Sequence, residues 1–489
     1  MLKSLKFGAA FIIAALFIIA TSSAARADDA QILHLLNRLT FGPEPGDIEA
    51  VRRIGTDAYI EQQLHPANLH SNADLENRLA QLPTVNASIT ELAEQYGKPP
   101  GGKKELDEEE KKQYAQGIKT IALELGEAKI LRAVESPAQL QEVMTDFWFN
   151  HFNVFFQKGA DPVLTTSYER DAIRPYALGN FRQLLEATAR HPAMLFYLDN
   201  WENTDPNSVL AQKAAFRQNK KIGINENYAR ELMELHTLGV NGGYTQDDVT
   251  TLAHILTGWG LGRGQGMEGK ATFEFDPNRH DWNNQFFLGK PFQGGGWEEI
   301  DRALDILAFH PSTAHHIAYQ LAQYFVADEP PQSLVDKLAA KFQSSQGNIA
   351  QVLDTLFHSP EFWDKKYYQN KFKPPFRYVI STLRANGAVP NGNTMMLQGA
   401  IAQMGEPLYR CLTPNGYSNT NDQWLNSDAI LKRVNFAKAL AQFTNDNAPQ
   451  TMEAALGENW SDNTLKTVQN AEPKLQPALL LGSPEFVYY

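Results

Sequence analysis

The residues best placed to do chemistry fall in three stretches of the chain. The first is 225–240, NENYARELMELHTLGV, which holds Asn225, Glu226, Arg230, Glu231, Glu234 and His236. At about 100° per residue, Tyr228, Leu235 and Leu238 share one apolar face, and Glu231 falls among them. His236 lies on the adjoining stripe with Asn225, Ala229 and Leu232. The second stretch, 137–156, places His151 on an apolar face with Leu140, Met144, Trp148 and Phe155. A narrow polar stripe runs beside that face: Gln139, Glu142, Asp146, Asn150 and Asn153. Such a stripe suits a solvated edge, a polar cleft or a partner helix. The third is His280-Asp281, in a turn between two short aromatic segments, and Asp199-Asn200 could complete a site. An acid or an imidazole on an apolar face costs free energy unless it is partnered.

Two chemistries suit these residue types. A divalent metal could sit between His151, His236, His280 and a carboxylate such as Asp281; imidazole and carboxylate ligands suit zinc, iron or manganese. Alternatively, Glu231 and His236, with Asp146 and His151, could act as general acids or bases. Burial would raise the Glu231 pKa unless Arg230 or Arg38 reaches it. The bland alternative is a buried ion-pair and hydrogen-bond network that pins helices together. Glu231 and His236 lie about 140° apart on a helix. They share a site only if partners wrap it, so His236 is expected to face the 137–156 helix and Glu231 to act as an anchor. His65, His70, His191 and His358 read as helix-end or surface histidines.

The elements that position these groups read as helices. Apolar spacing near 3.6 recurs from Ala30 to Thr444. Residues 225–240 are expected as one helix of about four turns, and Thr245 as a cap with Asp248 at N3. The segments 272–275 and 285–288 are expected to pair as a minor two-stranded β-ribbon. Residues 97–112, GKPPGGKKELDEEEKK, read as a disordered charged insertion. The phrase Ser-Pro-Glu-Phe occurs at 359 and again at 483, which the sequence explains as a shared helix-stop. The fold class is therefore mainly α, with one large helical domain over 28–489. The chain contains no H-E-x-x-H, paired C-x-x-C, Walker A or G-x-S-x-G signature, so any site is composite. Gly258–Gly266 is glycine-rich but lacks the phosphate-cradling spacing.

HLLNRLTFGP (34–43), DFWFNHFNV (146–154), NENYARELMELHTLGV with GGYTQDDV after it, LTGW (256–259), HD…FLG (280–289) and HPSTAHHIA (310–318) resemble the bacterial family known as domain of unknown function 1800. Order and spacing match over nearly the whole chain after the leader. The resemblance brings no activity and no catalytic residue with it. It implies an exported protein, often encoded beside a second exported family that looks like a sulfatase or phosphatase. His315-His316 departs from the basic or bulky residues of the family pattern, which weakens any role for that pair.

Composition narrows the functional classes. Lys3, Lys6, the apolar run 7–20 and Ala25-Arg26-Ala27 make residues 1–27 read as a general secretory signal peptide. Periplasmic or extracellular localisation is expected, with no membrane association after cleavage. Without the leader's three basic residues, 41 of the 44 basic residues remain against 56 acidic ones, a net charge of −15. That balance argues against nucleic acid as a partner. Cys411 is the only cysteine, so stability rests on the core rather than on a disulfide, and the thiol reads as structural. Two functions remain open: an exported hydrolase or metalloenzyme, and a non-catalytic envelope scaffold or binding protein for a co-exported partner. The sequence does not indicate an oligomeric state.

Overall fold

The computed structural model describes residues 28–70, 72–97, 107–218, 222–262, 271–390, 392, 394–441, 448–457 and 460–489. The expected signal peptide and the first part of the charged insertion lie outside them. The architecture is mainly α, with two small antiparallel ribbons. One apolar core runs from Ile32 to Phe486. A satellite of Leu75, Leu79, Leu82, Val85, Ala128 and Leu131 sits beside it.

The helices start where side chains can satisfy the first free amides. Asp28 with Gln31, Ser88 with Glu91, and Thr245 with Asp248 form reciprocal capping boxes. The third follows the sequence expectation. Asp107 with Glu110 caps a 28-residue helix, Glu108–Glu135. The charge run 107–112 is therefore the capped start of a helix. The two Ser-Pro-Glu-Phe copies use one device: Ser359 and Ser483 accept the amides of Phe362 and Phe486, and both rings are fully buried.

Two expectations about local structure are corrected. The helix expected over 225–240 spans only Asn227–Glu234. The Thr237 hydroxyl takes the Leu232 carbonyl at 2.6 Å, and the Gly239 amide reaches back to Met233 with φ +83°. These bonds turn the chain away one residue before His236. The segments Phe273–Phe275 and Gln285–Phe287 do not pair with each other. The first pairs with Trp259–Leu261 and the second with Lys290–Phe292. The start of the glycine-rich stretch, Trp259–Leu261, is therefore a strand. Between Glu202 and Asn227 stands a further helix, Val209–Gln218.

Candidate functional site

The helix Gln139–His151 is the spine of the site. Gln63 caps it from outside by accepting the Leu140 amide at 3.0 Å. Its apolar face carries Trp148, which is fully buried and donates to the Ala177 carbonyl at 3.0 Å. The polar stripe faces protein and a cleft. Both carboxylate oxygens of Glu142 accept from Arg174 Nη1, at 2.7 and 2.8 Å. Asp146 pairs with Lys129 at 2.6 Å. Asn150 bonds the Tyr417 backbone through both its amide atoms, at 2.7 and 2.8 Å. Asn153 donates to the carbonyls of Cys411 and Thr413.

These two asparagines hold the segment 406–419 against the helix. Gly416 is obligatory there: its φ is +68°, and a Cβ would collide with the Asn150 carbonyl and side chain. Tyr409 is strained at φ +60° and anchored by its hydroxyl, which donates to Glu169 at 2.5 Å. Strain of this kind persists where surrounding contacts over-determine it.

Between helix and loop lie two adjacent spaces. The inner one, about 60 Å³, is bounded by Lys129, Asp146, Tyr324, Glu406, Tyr409 and Tyr417, among others. The outer cleft, about 480 Å³, shares Phe147, Asn150, Tyr417, Ser418 and Asn419 with it, and adds His151, Gln320, Gln323, Thr413, Asn415 and Gln423. None of the residues lining the outer cleft carries a formal charge. Cys411 is buried against its wall, as the structural reading of the thiol expects.

The electrostatics of the inner space are unequal. Lys129 sits 5.1 Å from the Phe376 ring centre and 5.0 Å from that of Tyr409, beside Asp146. Burial works against its charge, and Asp146 and Glu169 more than offset this, holding the ammonium above its ordinary range. Glu406 is the opposite case. It lines the cavity and keeps partial solvent exposure there, with protein packed densely around the rest of it. Burial pushes its carboxyl up to about 8; the Phe376 amide, 2.7 Å away, pulls down, and the charge of Asp146 pushes up further. Two carboxyl groups in contrasting environments are the arrangement that separates acid from base.

Arg174 braces this wall by bridging Glu142 and Glu169. Removing one member of a buried pair leaves the others uncompensated and costs about 3–5 kcal/mol. Arg174→Ala should lower the stability measured by urea unfolding by about that much. A loss below about 1 kcal/mol would show that the pairs act like exposed ones.

The other sequence candidates fall in separate places. His151 and His236 are neighbours, with ring centres 6.0 Å apart and His151 Nε2 donating to the His236 carbonyl at 3.2 Å. His236 thus faces the 139–151 helix, although it lies beyond the end of its own. It is 1 % exposed, and its Nε2 has no partner. His316 joins them, 6.3 Å from His151, and its Nε2 donates to the Leu235 carbonyl. Burial holds the three imidazoles below their ordinary pKa, His151 at about 3. Glu231 is half-buried; burial, then the charge of Glu234, raises its pKa. His280 is sealed against Thr257 and Glu299. Asp281 accepts from His254 at 2.7 Å. Among the described residues, one group of three potential ligands converges within 4.8 Å: Asp205, His254 and Asp281. It contains one member of the expected metal set.

Glu406, Lys129, Asp205 and His254 were not singled out by sequence reasoning. A signal existed for the first. Residues 405–420, GEPLYRCLTPNGYSNT, form a long coil rich in Asn, Gly, Pro and Thr inside a helical protein. Long structureless loops in compact folds are disproportionately functional.

A family model described as "Protein of unknown function (DUF1800)" matches residues 34–488. The chain belongs to this family. No curated protein and no solved structure matches it. The DUF1800 match covers every residue of the outer cleft and of the Asp205–His254–Asp281 group, and every residue lining the inner space except Tyr489. None of the described helices is long and apolar enough to cross a membrane.

Proposed function

We propose that the protein is a hydrolase acting on a neutral, hydroxyl-rich polymer of the glycoside class, with Glu406 as proton donor and Asp146 as the second carboxylate. One observation carries this reading: both carboxyl groups line one small cavity that shares a wall with an uncharged cleft of amides and hydroxyls. Asn150, Gln320, Gln323, Asn415, Asn419 and Gln423 offer donors and acceptors in equal measure, which suits sugar hydroxyls. Phe147 and Tyr417 supply apolar surface for a ring face. A phosphorylated or sulfated chain would leave its charges unpaired there.

Glycoside hydrolysis uses one protonated and one ionised carboxyl group across the scissile bond. Glu406, held protonated by burial, gives its proton to the leaving oxygen. Asp146, ion-paired to Lys129, supports positive charge developing on the sugar and takes the proton of the attacking water. The neutral His151 lines the cleft wall; with its Nε2 proton given to the His236 carbonyl, its Nδ1 is left as an uncharged acceptor. The leader-like residues 1–27 support a place of action outside the cytoplasm, where such polymers are found.

The test is a hydrolysis screen of the purified protein on neutral polysaccharides, with sulfated and uronic-acid polymers alongside. Release of reducing ends from a neutral polymer, lost in Asp146→Asn and in Glu406→Gln, is the expected result. Turnover only of charged polymers, or turnover that survives both substitutions, contradicts the reading.

A further inference from the structure

We propose that Asp205, His254 and Asp281 bind one first-row divalent cation of the zinc and manganese class, which ties three separate chain segments together. The three come from different elements. Asp205 follows the turn Asn200–Glu202, His254 sits in the last turn of the helix Gln246–Ile255, and Asp281 lies between two strands of different ribbons. Their ligand atoms already lie within 4.8 Å of one another.

The positions are held from behind, as ligands of a metal site are. The Asp205 amide donates to the Arg279 carbonyl at 2.9 Å, which fastens its turn to the Asp281 turn. Thr257 Oγ1 accepts the Asp281 amide at 2.8 Å and donates to the His254 carbonyl at 2.6 Å, so one hydroxyl sets both ligand backbones. Asn283 and Gln285 donate to the Asp281 carboxylate and fix its plane. The carboxylates are nearly excluded from solvent, at 5 % for Asp205 and 4 % for Asp281. Neither is ion-paired with a lysine or arginine among the described residues.

One acceptor capacity is left over. Asn207 donates to Asp205 Oδ1 at 3.0 Å, and Oδ2 receives no hydrogen bond from a described residue. His254 bonds Asp281 through Nδ1 only, and its part-exposed ring gives an ion a way in. Two carboxylates and one imidazole suit zinc, manganese or iron(II). Calcium and magnesium favour all-oxygen shells, and copper(I) favours sulfur. Three protein ligands and a water complete a four-coordinate zinc.

None of the three residues lines the acid–base cleft, so the two proposals stand or fall separately. The purified protein, stripped with EDTA and dialysed free of it, is titrated with zinc and separately with manganese by calorimetry. Thermal unfolding is followed in parallel. One saturable site per chain and a raised melting temperature are expected. His254→Ala, at a part-exposed position, and the isosteric Asp205→Asn should each weaken zinc binding by at least about tenfold. His65→Ala, at an exposed histidine beside Glu61, should leave affinity unchanged. No saturable binding of either ion overturns the proposal. So does wild-type affinity in both ligand variants, or loss of binding in His65→Ala.

Discussion

Glu406→Gln is expected to abolish hydrolysis while making the protein more stable in alkali. Removing a general acid costs about 10²–10⁴ in rate, and glutamine keeps the size and the contact with the Phe376 amide. In the wild type, activity should fall as pH rises through about 8, where Glu406 loses its proton. The stability effect follows from linkage. The folded-state pKa of Glu406 is raised above that of the unfolded chain, so between about pH 4.5 and 8 the folded form holds more protons. Native stability contributed by this group therefore declines as pH rises over that window. By pH 9 the accumulated loss is up to about 4 kcal/mol, less where cavity water screens the charge. Glutamine removes the penalty. Wild type and Glu406→Gln should thus have similar urea midpoints at pH 5, and the variant should be the more stable at pH 9. Equal midpoints at both values would mean an ordinary carboxylate.

The second large effect is acid lability from neutral buried histidines. Burial depresses His151 and His191 to about 3, and lowers His236 and His34 as well. Geometry agrees for His191. Its Nδ1 accepts the Ala193 amide at 3.2 Å, capping the helix Pro192–Tyr197, and its Nε2 meets Ser167 at 3.2 Å. A proton on Nδ1 would break the cap. In the unfolded chain these rings titrate near 6.5. Below that pH the unfolded state binds more protons, so stability falls as pH drops toward 3. For His151 and His191 together the loss between pH 7 and pH 4.5 is about 3–5 kcal/mol. Glu406 acts in the opposite direction over the same range, so the measurement is cleanest in the Glu406→Gln background. Urea unfolding there at pH 7, 5.5 and 4.5 should show a steady decline, and His191→Asn should make it shallower. A flat profile would mean that the histidines protonate freely in the folded state.

Much of this arrangement was written in local sequence. The 3.6-residue repeat put His151 on a buried face and Asp146, Asn150 and Asn153 on one polar stripe, because side-chain direction on a helix depends only on spacing. The Thr245 capping box was equally local. What failed was tertiary. The helix at 227–234 stops because Thr237 and Gly239 capture its last carbonyls, which the apolar repeat through Leu238 conceals. The aromatic segments near 273 and 286 each found another partner, since strand pairing is decided by neighbours outside the segment. Glu406 acquires its character from Phe376, Lys129 and Asp146, all distant in the chain. The Asp205–His254–Asp281 group draws on three segments that only folding brings together.

The protonation state of Glu406 tests the account most directly. Infrared difference spectra of the ¹³C-glutamate-labelled protein, wild type minus Glu406→Gln, can be recorded from pH 4 to 10 to isolate this one carboxyl group. A protonated carbonyl band that persists at neutral pH and titrates near 8 is the predicted result. A carboxylate band already complete by pH 6 would contradict the assignment of Glu406 as the proton donor.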